Sequence, residues 1–383
     1  MKYFDHAATT PPHEDVIRTV AEVMAQHFGN PSSLHRSGED SGKLLSKARE
    51  VCANALQVSP EEIIFTSGAT ESNNMAIRGV LAGYRHRGNH IVTTSIEHPS
   101  VYETCRHLEK QGCKVAYVPA QADGTVRTED VLSAIKEDTV LVSVMHVNNE
   151  TGAVQPIAEI GQALKKLYPR VMFHVDGVQG FGKLPLSIRD SRIDLYSLSA
   201  HKFRGPKGIG LLYVREGVSL EPLLTGGGQE GGLRSGTENI PYIVGMAKAV
   251  RLAAERQPFL AEHLARLNEE LSEGLQRLTG LEMNSSRHGA PHIVHFSCPG
   301  LKAETMLHML EEEGFLVSTQ SACSSKRSEP SRVLLAMERQ MDCALSGIRI
   351  SLGEEHTEED VRQLLSAIEH TMGRLQRLKG GNC

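Results

Sequence analysis

The chain has 383 residues, with 41 basic and 46 acidic side chains and a formal net charge of -5. This length exceeds what one compact core usually supports, so we expect two domains, or one large α/β domain with a smaller one. The near balance of charges excludes a global field that would attract nucleic acid or a membrane surface, so neither partner is predicted.

The seven cysteines form no CxxC pair and no zinc-like group with histidine, so no metal site is predicted. Their odd number and irregular spacing are typical of reduced thiols in the cytosol. Residues 1–6 contain no apolar signal core, and no apolar run approaches the length that crosses a bilayer. The sequence therefore predicts a soluble, cytoplasmic protein.

The first part of the chain predicts two helices, then a strand that leads into a third helix. Gly and Pro in residues 28–33 separate the first helix from the second, which runs roughly from Gly38 to Leu56. Ile63 to Thr66 is typical of a buried strand, and the small polar residues 67–73 follow it at once. The free N–H groups of such a helix start suit a phosphate, although an ordinary capped helix explains the same residues.

Further β-rich runs at 90–95, 115–118, 140–145 and 172–175 alternate with helical patterns. They predict an α/β fold with a mostly parallel sheet covered by helices on both faces. Ligands of such sheets bind at the carboxyl ends of the strands. The polar residues expected to meet at these ends are His98, Asn149, Asp176, Gln179 and Lys202.

Lys202 lies in a predicted turn between strands at 192–195 and 211–214. A lysine among Ser, His and Gly, with no carboxylate beside it in sequence, suits an amine that forms a Schiff base with an aldehyde cofactor. A solvated loop lysine is the alternative that this stretch leaves open.

The pattern changes from about residue 254. Leucines at helical spacing from Leu264 to Leu278 predict a long amphipathic helix that ends at Gly280. Short strands near 293–296 and 348–351 follow, with a last helix from about 358 to 378. These elements predict a smaller α+β domain.

Pyridoxal 5'-phosphate is the aldehyde cofactor whose needs the strand-end residues can meet. Asp176 suits its protonated ring nitrogen, His98 can stack on the ring and move protons, and Gln179 can donate to the phenolic oxygen. Its phosphate suits the helix start and nearby hydroxyl and imidazole donors. The candidates for the phosphate are Ala69, Thr70, Ser199 and His201.

Eight motifs follow one another in the order SGATESN, EHPSV, HVNNETG, HVD..Q, SAHKFRGPKGIG, GGGQE.G.RSGT.N, SAC and IRISLG. In this order they closely resemble the pyridoxal-phosphate-dependent cysteine desulfurases of the NifS/IscS type, within the class V aminotransferase family. The resemblance implies the fold-type I transferase architecture, with a mostly parallel seven-stranded sheet flanked by helices. It also implies a large cofactor domain over residues 13–254 and a small domain over 1–12 and 255–383.

The same resemblance assigns roles to individual residues. Lys202 would bind the cofactor covalently, Asp176 would face its ring nitrogen, and His98 would stack and transfer protons. Asn149 and Gln179 would lie near the phenolic oxygen and the substrate, and Thr237 would reach the phosphate of the neighbouring subunit in a homodimer. Arg349 would clamp the carboxylate of L-cysteine, and Asn30 and Asn149 would also contact the substrate.

Cys323 lies in the polar stretch 318–330, where a structural thiol is a poor choice. The resemblance implies that its thiolate takes the sulfur of L-cysteine as a persulfide, releases alanine and passes the sulfur to an acceptor protein. Gln320, Gly177, Val178 and Gln229 depart from the usual motifs without removing a catalytic group. Because the chain ends at Cys383, without a longer C-terminal extension, a tRNA-thiolating enzyme is expected as acceptor, ahead of an iron–sulfur scaffold.

Other functions stay open at this point. A selenocysteine lyase or another class V enzyme would share the cofactor residues and would not use Cys323. A non-catalytic sulfur-trafficking protein with the same fold is the alternative from outside the enzymes, and the intact set of Lys202, Asp176, His98 and Cys323 argues against it.

Overall fold

The computed structural model describes residues 1–319 and 329–380. Its strands are β1 (Lys2–Tyr3), β2 (Ile63–Thr66), β3 (His90–Thr94), β4 (Lys114–Val118), β5 (Thr139–Met145), β6 (Met172–Asp176), β7 (Leu195–Ser199), β8 (Gly210–Val214), β9 (Glu282–Met283), β10 (Ile293–Ser297), β11 (Phe315–Leu316) and β12 (Gly347–Ser351). Its helices are α1 (Glu14–Gln26), α2 (Arg36–Leu56), α3 (Ala69–Gly83), α4 (Pro99–Lys110), α5 (Thr128–Ser133), α6 (Ile157–Leu167), α7 (Ile240–Gln276), α8 (Ala303–Glu312), α9 (Arg332–Ala336), α10 (Met341–Leu345) and α11 (Glu358–Gly380).

The main sheet has seven strands in the order β2-β8-β7-β6-β5-β3-β4. Strands β4, β3, β5, β6 and β7 are parallel, whereas β8 runs antiparallel to both of its neighbours. Every residue of the five strands from β8 to β3 is buried, as expected for near-continuous apolar runs under helices. The predicted α/β fold with a mostly parallel seven-stranded sheet is confirmed.

One strand was placed wrongly by the sequence pattern. The strand before Lys202 is Leu195–Ser199 and not 192–195, and a short 3-10 turn over Ala200–Lys202 follows it. The two serines of the strand obscured it, but the hydroxyl of Ser197 is satisfied inside the sheet by His174 Nε2 at 3.0 Å. A buried strand tolerates polar side chains that find such partners.

Helix α7 spans 37 residues, which corresponds to a length of about 55 Å. Its first half packs Ile243 and Val250 into the core under the main sheet, and its second half packs Leu264 and Leu271 into a separate core formed by C-terminal elements. The helix therefore crosses residue 254 without a break. The domain division at that residue stays a prediction.

The C-terminal elements include an antiparallel sheet in the order β12-β10-β9. The start of the chain belongs to the same region, because β1 pairs with β11 and Phe4 is fully buried in the C-terminal core. None of the helices in the described parts of the chain has the length and hydropathy needed to span a membrane.

Candidate active site

A cavity of about 510 Å³ opens at the carboxyl ends of the parallel strands. Ten of the residues that sequence analysis proposed line it: Ala69, Thr70, His98, Asn149, Asp176, Gln179, Ser199, His201, Lys202 and Arg349. They come from segments 280 residues apart (349 minus 69), and the strand ends bring most of them together.

Asp176 is the last residue of β6 and is 5 % exposed. Its carboxylate accepts hydrogen bonds from Asn73 Nδ2 at 2.7 Å and from the Val178 N–H at 3.1 Å. Burial raises the pKa of this carboxyl above its usual value. A Cβ atom on Gly177 would overlap the Tyr196 ring, so the glycine lets the chain turn closely past that ring directly after Asp176. A cation at this carboxylate would favour its ionised form.

His98 caps the start of α4, where its Nδ1 accepts the Ser100 N–H at 3.2 Å and lies 2.8 Å from Ser100 Oγ. Because Nδ1 is an acceptor there, the neutral ring carries its proton on Nε2. Burial, followed by the charge of Lys202, lowers the pKa of His98 to about 3. The imidazole is therefore neutral at physiological pH.

A chain of side-chain contacts links His98 to Asp176. Asn73 Nδ2 contacts Ser100 Oγ at 2.9 Å as well as Asp176, and Ser100 Oγ contacts His98 Nδ1. Asn73 is fully buried on the inner face of α3. Sequence analysis gave Asn73 no role, although it closes the SGATESN motif and is placed four residues after Ala69, one helical turn along α3.

Lys202 lies in the 3-10 turn after β7 and lines the cavity. Its Nζ donates to the carbonyl oxygens of Ala7 and Ala8, at 2.6 and 2.9 Å. The N-terminal segment thus contacts the amine directly. Backbone contacts fix this segment to the same turn, because the Thr10 N–H donates to the His201 carbonyl at 2.9 Å.

Helix α3 begins at Ala69 with Gly68 as its N-cap, and no side-chain oxygen caps it. The first residues of the helix, Ala69 and Thr70, line the cavity together with Ser199, so their uncapped N–H groups are available to a ligand there. A Cβ atom on Gly210 would lie 2.7 Å from Gly68 Cα, so glycine in β8 allows this loop to approach the strand. The alternative of a capped helix start finds no side chain to support it among the described residues. An uncapped helix start suits an anion.

Arg349 projects from β12 and is 1 % exposed. Nη1 donates to the Asn149 carbonyl at 2.7 Å, and Nη2 pairs with Asp5 Oδ1 at 2.9 Å. Its Nε has no partner among the described residues. Because the guanidinium lines the cavity with unused donors, it can bind a carboxylate there.

Two proposed residues of the described chain, Asn30 and Thr237, are not among those that line this cavity. Asn30 lies exposed in the loop between α1 and α2. Thr237 lines an adjoining cavity of about 180 Å³ that shares Ser67 and Gly208 with the first. Cys323 and Gln320 lie outside the described residues. The roles of Asn30, Thr237 and Cys323 stay predictions.

The described residues fit pyridoxal phosphate on their own chemistry. The uncapped start of α3 suits the phosphate, the buried carboxylate of Asp176 suits a protonated ring nitrogen, and the amine of Lys202 suits the aldehyde. All three line one cavity, which is the arrangement that this cofactor needs.

Comparison with known proteins gives concordant results. The Aminotransferase class-V family model matches residues 2–364. The cysteine desulfurase IscS of Dictyoglomus turgidum is 40 % identical over 98 % of this chain and 95 % of its own length. A solved NifS-like protein superposes with a TM-score of 0.91 at 40 % identity, covering 97 % of this chain and 99 % of that one.

A structure of SspA in complex with cysteine is also similar, with a TM-score of 0.81 at 37 % identity over 92 % of this chain and 99 % of that one. These similarities cover both the sheet that forms the cavity and the C-terminal elements that carry Arg349. The chain belongs to the class V aminotransferase family.

Proposed function

We propose that this protein is a cysteine desulfurase that moves the sulfur of L-cysteine to Cys323 and then to an acceptor protein. Members of the class V family use pyridoxal 5'-phosphate. The observation that carries the proposal is the convergence of Lys202, Asp176 and the start of α3 in one cavity. The 40 % identity to a cysteine desulfurase over nearly the whole chain supports the substrate.

When bound, pyridoxal phosphate supplies an electron sink for the carbanion that forms at the α-carbon of the substrate. Ala69, Thr70, Ser199 and His201 would hold its phosphate, and Asp176 would keep its ring nitrogen protonated. Lys202 would hold it covalently through its amine. Gln179 would donate to its phenolic oxygen.

The substrate would be oriented by Arg349, whose unused donors can bind the cysteine carboxylate. Lys202 and His98 line the same cavity as Arg349, at the strand ends. The amine of Lys202, or neutral His98, takes the α-proton and returns it during the reaction. Of the two, Lys202 is favoured as the base, because burial lowers the pKa of His98 to about 3 and its Nδ1 already accepts from Ser100. The Nε2–H of His98 can instead donate a hydrogen bond in the cavity.

The sulfur transfer step balances without an external oxidant. The Cys323 thiolate attacks the substrate sulfur, so that a sulfur–sulfur bond forms while the carbon–sulfur bond of the substrate breaks. The electron pair of the broken bond stays with the carbon skeleton, which takes up protons and leaves as alanine. Cys323 is left as a persulfide, whose terminal sulfur passes to the acceptor.

Intact-mass analysis after brief exposure to L-cysteine tests this proposal. We expect a one-sulfur adduct that maps to Cys323, together with an equal amount of alanine. The matched variant Cys323→Ser should bind the cofactor with the wild-type absorbance and form no adduct. Sulfur release at the wild-type rate by Cys323→Ser would instead support a lyase or an aminotransferase that does not use this residue.

As acceptor we propose a tRNA-thiolating enzyme in preference to an iron–sulfur scaffold, and as the place of action the cytoplasm. We also propose a homodimer in which Thr237 reaches the phosphate of the second subunit. Transfer of labelled persulfide sulfur in a mixture of both acceptor types tests the first choice. Preferential labelling of the scaffold would overturn it.

A further inference from the structure

Gln179 has a buried neighbour that none of the roles above involves. His292 lies just before β10 and is 0 % exposed. Its Nε2 is 3.3 Å from Gln179 Oε1. His292 is not among the residues that line the cavity, so any effect on a ligand there must pass through Gln179.

The hydrogen bonds of Gln179 fix which way its amide faces. Its Nε2 lies 2.9 Å from the Ala7 carbonyl oxygen, which can only accept. The amide oxygen therefore faces His292, and the imidazole must donate through Nε2–H. One N–H of Gln179 is used on Ala7, which leaves the second N–H for a ligand in the cavity that the residue lines.

We propose that His292 is a positioning residue that holds the Gln179 amide so that its second N–H faces an anionic aromatic oxygen, the phenolic oxygen of the cofactor. The inference rests on the proposed function for the identity of that oxygen. Without the His292 donor, only the Ala7 carbonyl would hold the amide, so the amide would rotate more easily and could present its carbonyl oxygen to the cavity. The oxygen of the ligand would then meet an acceptor instead of a donor.

The charge state of His292 agrees with this role. Burial lowers the pKa of His292 well below its usual value, and Coulombic interactions with groups from several elements act in the same direction. The groups that act in this way are Lys183, His6, Arg349 and Lys202. A neutral imidazole has one N–H, and Nδ1 has no partner among the described residues. A proton on Nδ1 would leave two acceptors facing each other at Gln179, so the Nε2–H form is favoured.

A double-mutant cycle on the holoenzyme tests the proposal, with the pH midpoint of the cofactor absorbance change as its readout. A donor to the phenolic oxygen stabilises the anionic form of that oxygen, so its loss should raise the midpoint. For His292→Leu and for Gln179→Leu we expect an upward shift of about half to one pH unit each. The double variant should shift no further than Gln179→Leu alone, because His292 acts through that residue.

The variant His292→Gln is the conservative control, since its amide nitrogen takes the position of Nε2 and should keep the wild-type midpoint. If His292→Leu fails to fold, His292→Asn takes its place, because that amide is too short to reach Gln179. A midpoint that stays unshifted in these variants would overturn the proposal. So would additive shifts in the double variant, because His292 would then act independently of Gln179.

The absorbance of the resting holoenzyme is recorded without cysteine, which separates this test from that of the proposed function. A wild-type protein that binds the cofactor but yields neither persulfide nor alanine would overturn the desulfurase proposal. The cycle would still decide the role of His292 in that protein.

Discussion

Arg349 has an unusual environment for a permanently charged side chain, because it is almost fully buried and faces a cavity. Asp5 and the Asn149 carbonyl compensate part of its charge, while its Nε has no partner among the described residues. A planar guanidinium can bind a carboxylate through two parallel hydrogen bonds, which an ammonium cannot do. The geometry of the donors is therefore open to test separately from their charge.

We expect Arg349→Lys to raise KM for L-cysteine by about 10- to 100-fold, as the loss of one charge-assisted hydrogen bond implies. The value of kcat should change much less, because the reacting groups are elsewhere. Steady-state kinetics measure both. Arg49→Lys is the control, since Arg49 pairs with Glu230 at 2.7 Å and does not line the cavity. An unchanged KM in Arg349→Lys would show that the clamp lies elsewhere.

Residue types at strand ends could be predicted from the sequence, but their side-chain partners could not. Asp176 and His98 were proposed because each follows a β-rich run. The link between them through Asn73 and Ser100 depends on contacts between segments far apart in the chain, and no local pattern reports such contacts. His292 could not be recognised for the same reason, because its partner Gln179 is far away in the chain. In the sequence, His292 is only a polar residue next to an apolar strand.

At the scale of single elements, the first residue of helix α3 offers a test of where the phosphate binds. The start of the helix lacks a side-chain cap, so its N–H groups are available to a phosphate. Proline fits the first position of a helix without disturbing the turns that follow, and it removes one N–H group. Ala69 occupies that position.

We expect Ala69→Pro to weaken cofactor affinity by about 10-fold or more, because one charge-assisted hydrogen bond to the phosphate is lost. Titration of the apoprotein with the cofactor, followed by absorbance, measures this affinity. Ala303→Pro at the first position of α8 is the matched control and should bind the cofactor as the wild type does. Equal affinities in the two variants would place the phosphate away from α3.

Most elements of the main sheet could be predicted because buried parallel strands are continuous apolar runs, and β2 was predicted with its observed bounds of Ile63–Thr66. Strand β7 was misplaced because its serines interrupt the run. Helix α7 was recognised only in its second half. Its first half, around Gly245 and Ala249, has small residues that pack closely on other elements and give a weak amphipathic pattern.

Buried histidines set the pH response of the whole molecule. Burial lowers the pKa of His146 to about 4 and the pKa values of His174 and His295 to about 3. The unfolded chain binds protons at these positions near pH 6.5 and the folded chain does not, so acid favours unfolding. Glu97 acts in the opposite sense, because burial raises its pKa to about 8 and its protonation stabilises the folded chain.

We therefore expect the free energy of unfolding to fall as the pH drops from about 6.5 towards 4, by up to about 1.4 kcal/mol per pH unit for each buried histidine. Denaturant unfolding at a series of pH values measures this slope. His295→Gln should reduce it by the contribution of one proton. A slope that His295→Gln leaves unchanged would mean that the His295 ring is charged in the folded protein.

The N-terminal segment packs against strands from the C-terminal part of the chain. Strand β1 pairs with β11, the Ala7 N–H donates to Ser351 Oγ at 2.8 Å, and the carbonyls of Ala7 and Ala8 contact the amine of Lys202. On a ribosome the N-terminal segment is made well before its binding partners in β11 and β12. The cavity is therefore complete only once β12, which carries Arg349, has been made and has packed against the N-terminal segment, so a nascent chain that stops short of β12 lacks a finished active site.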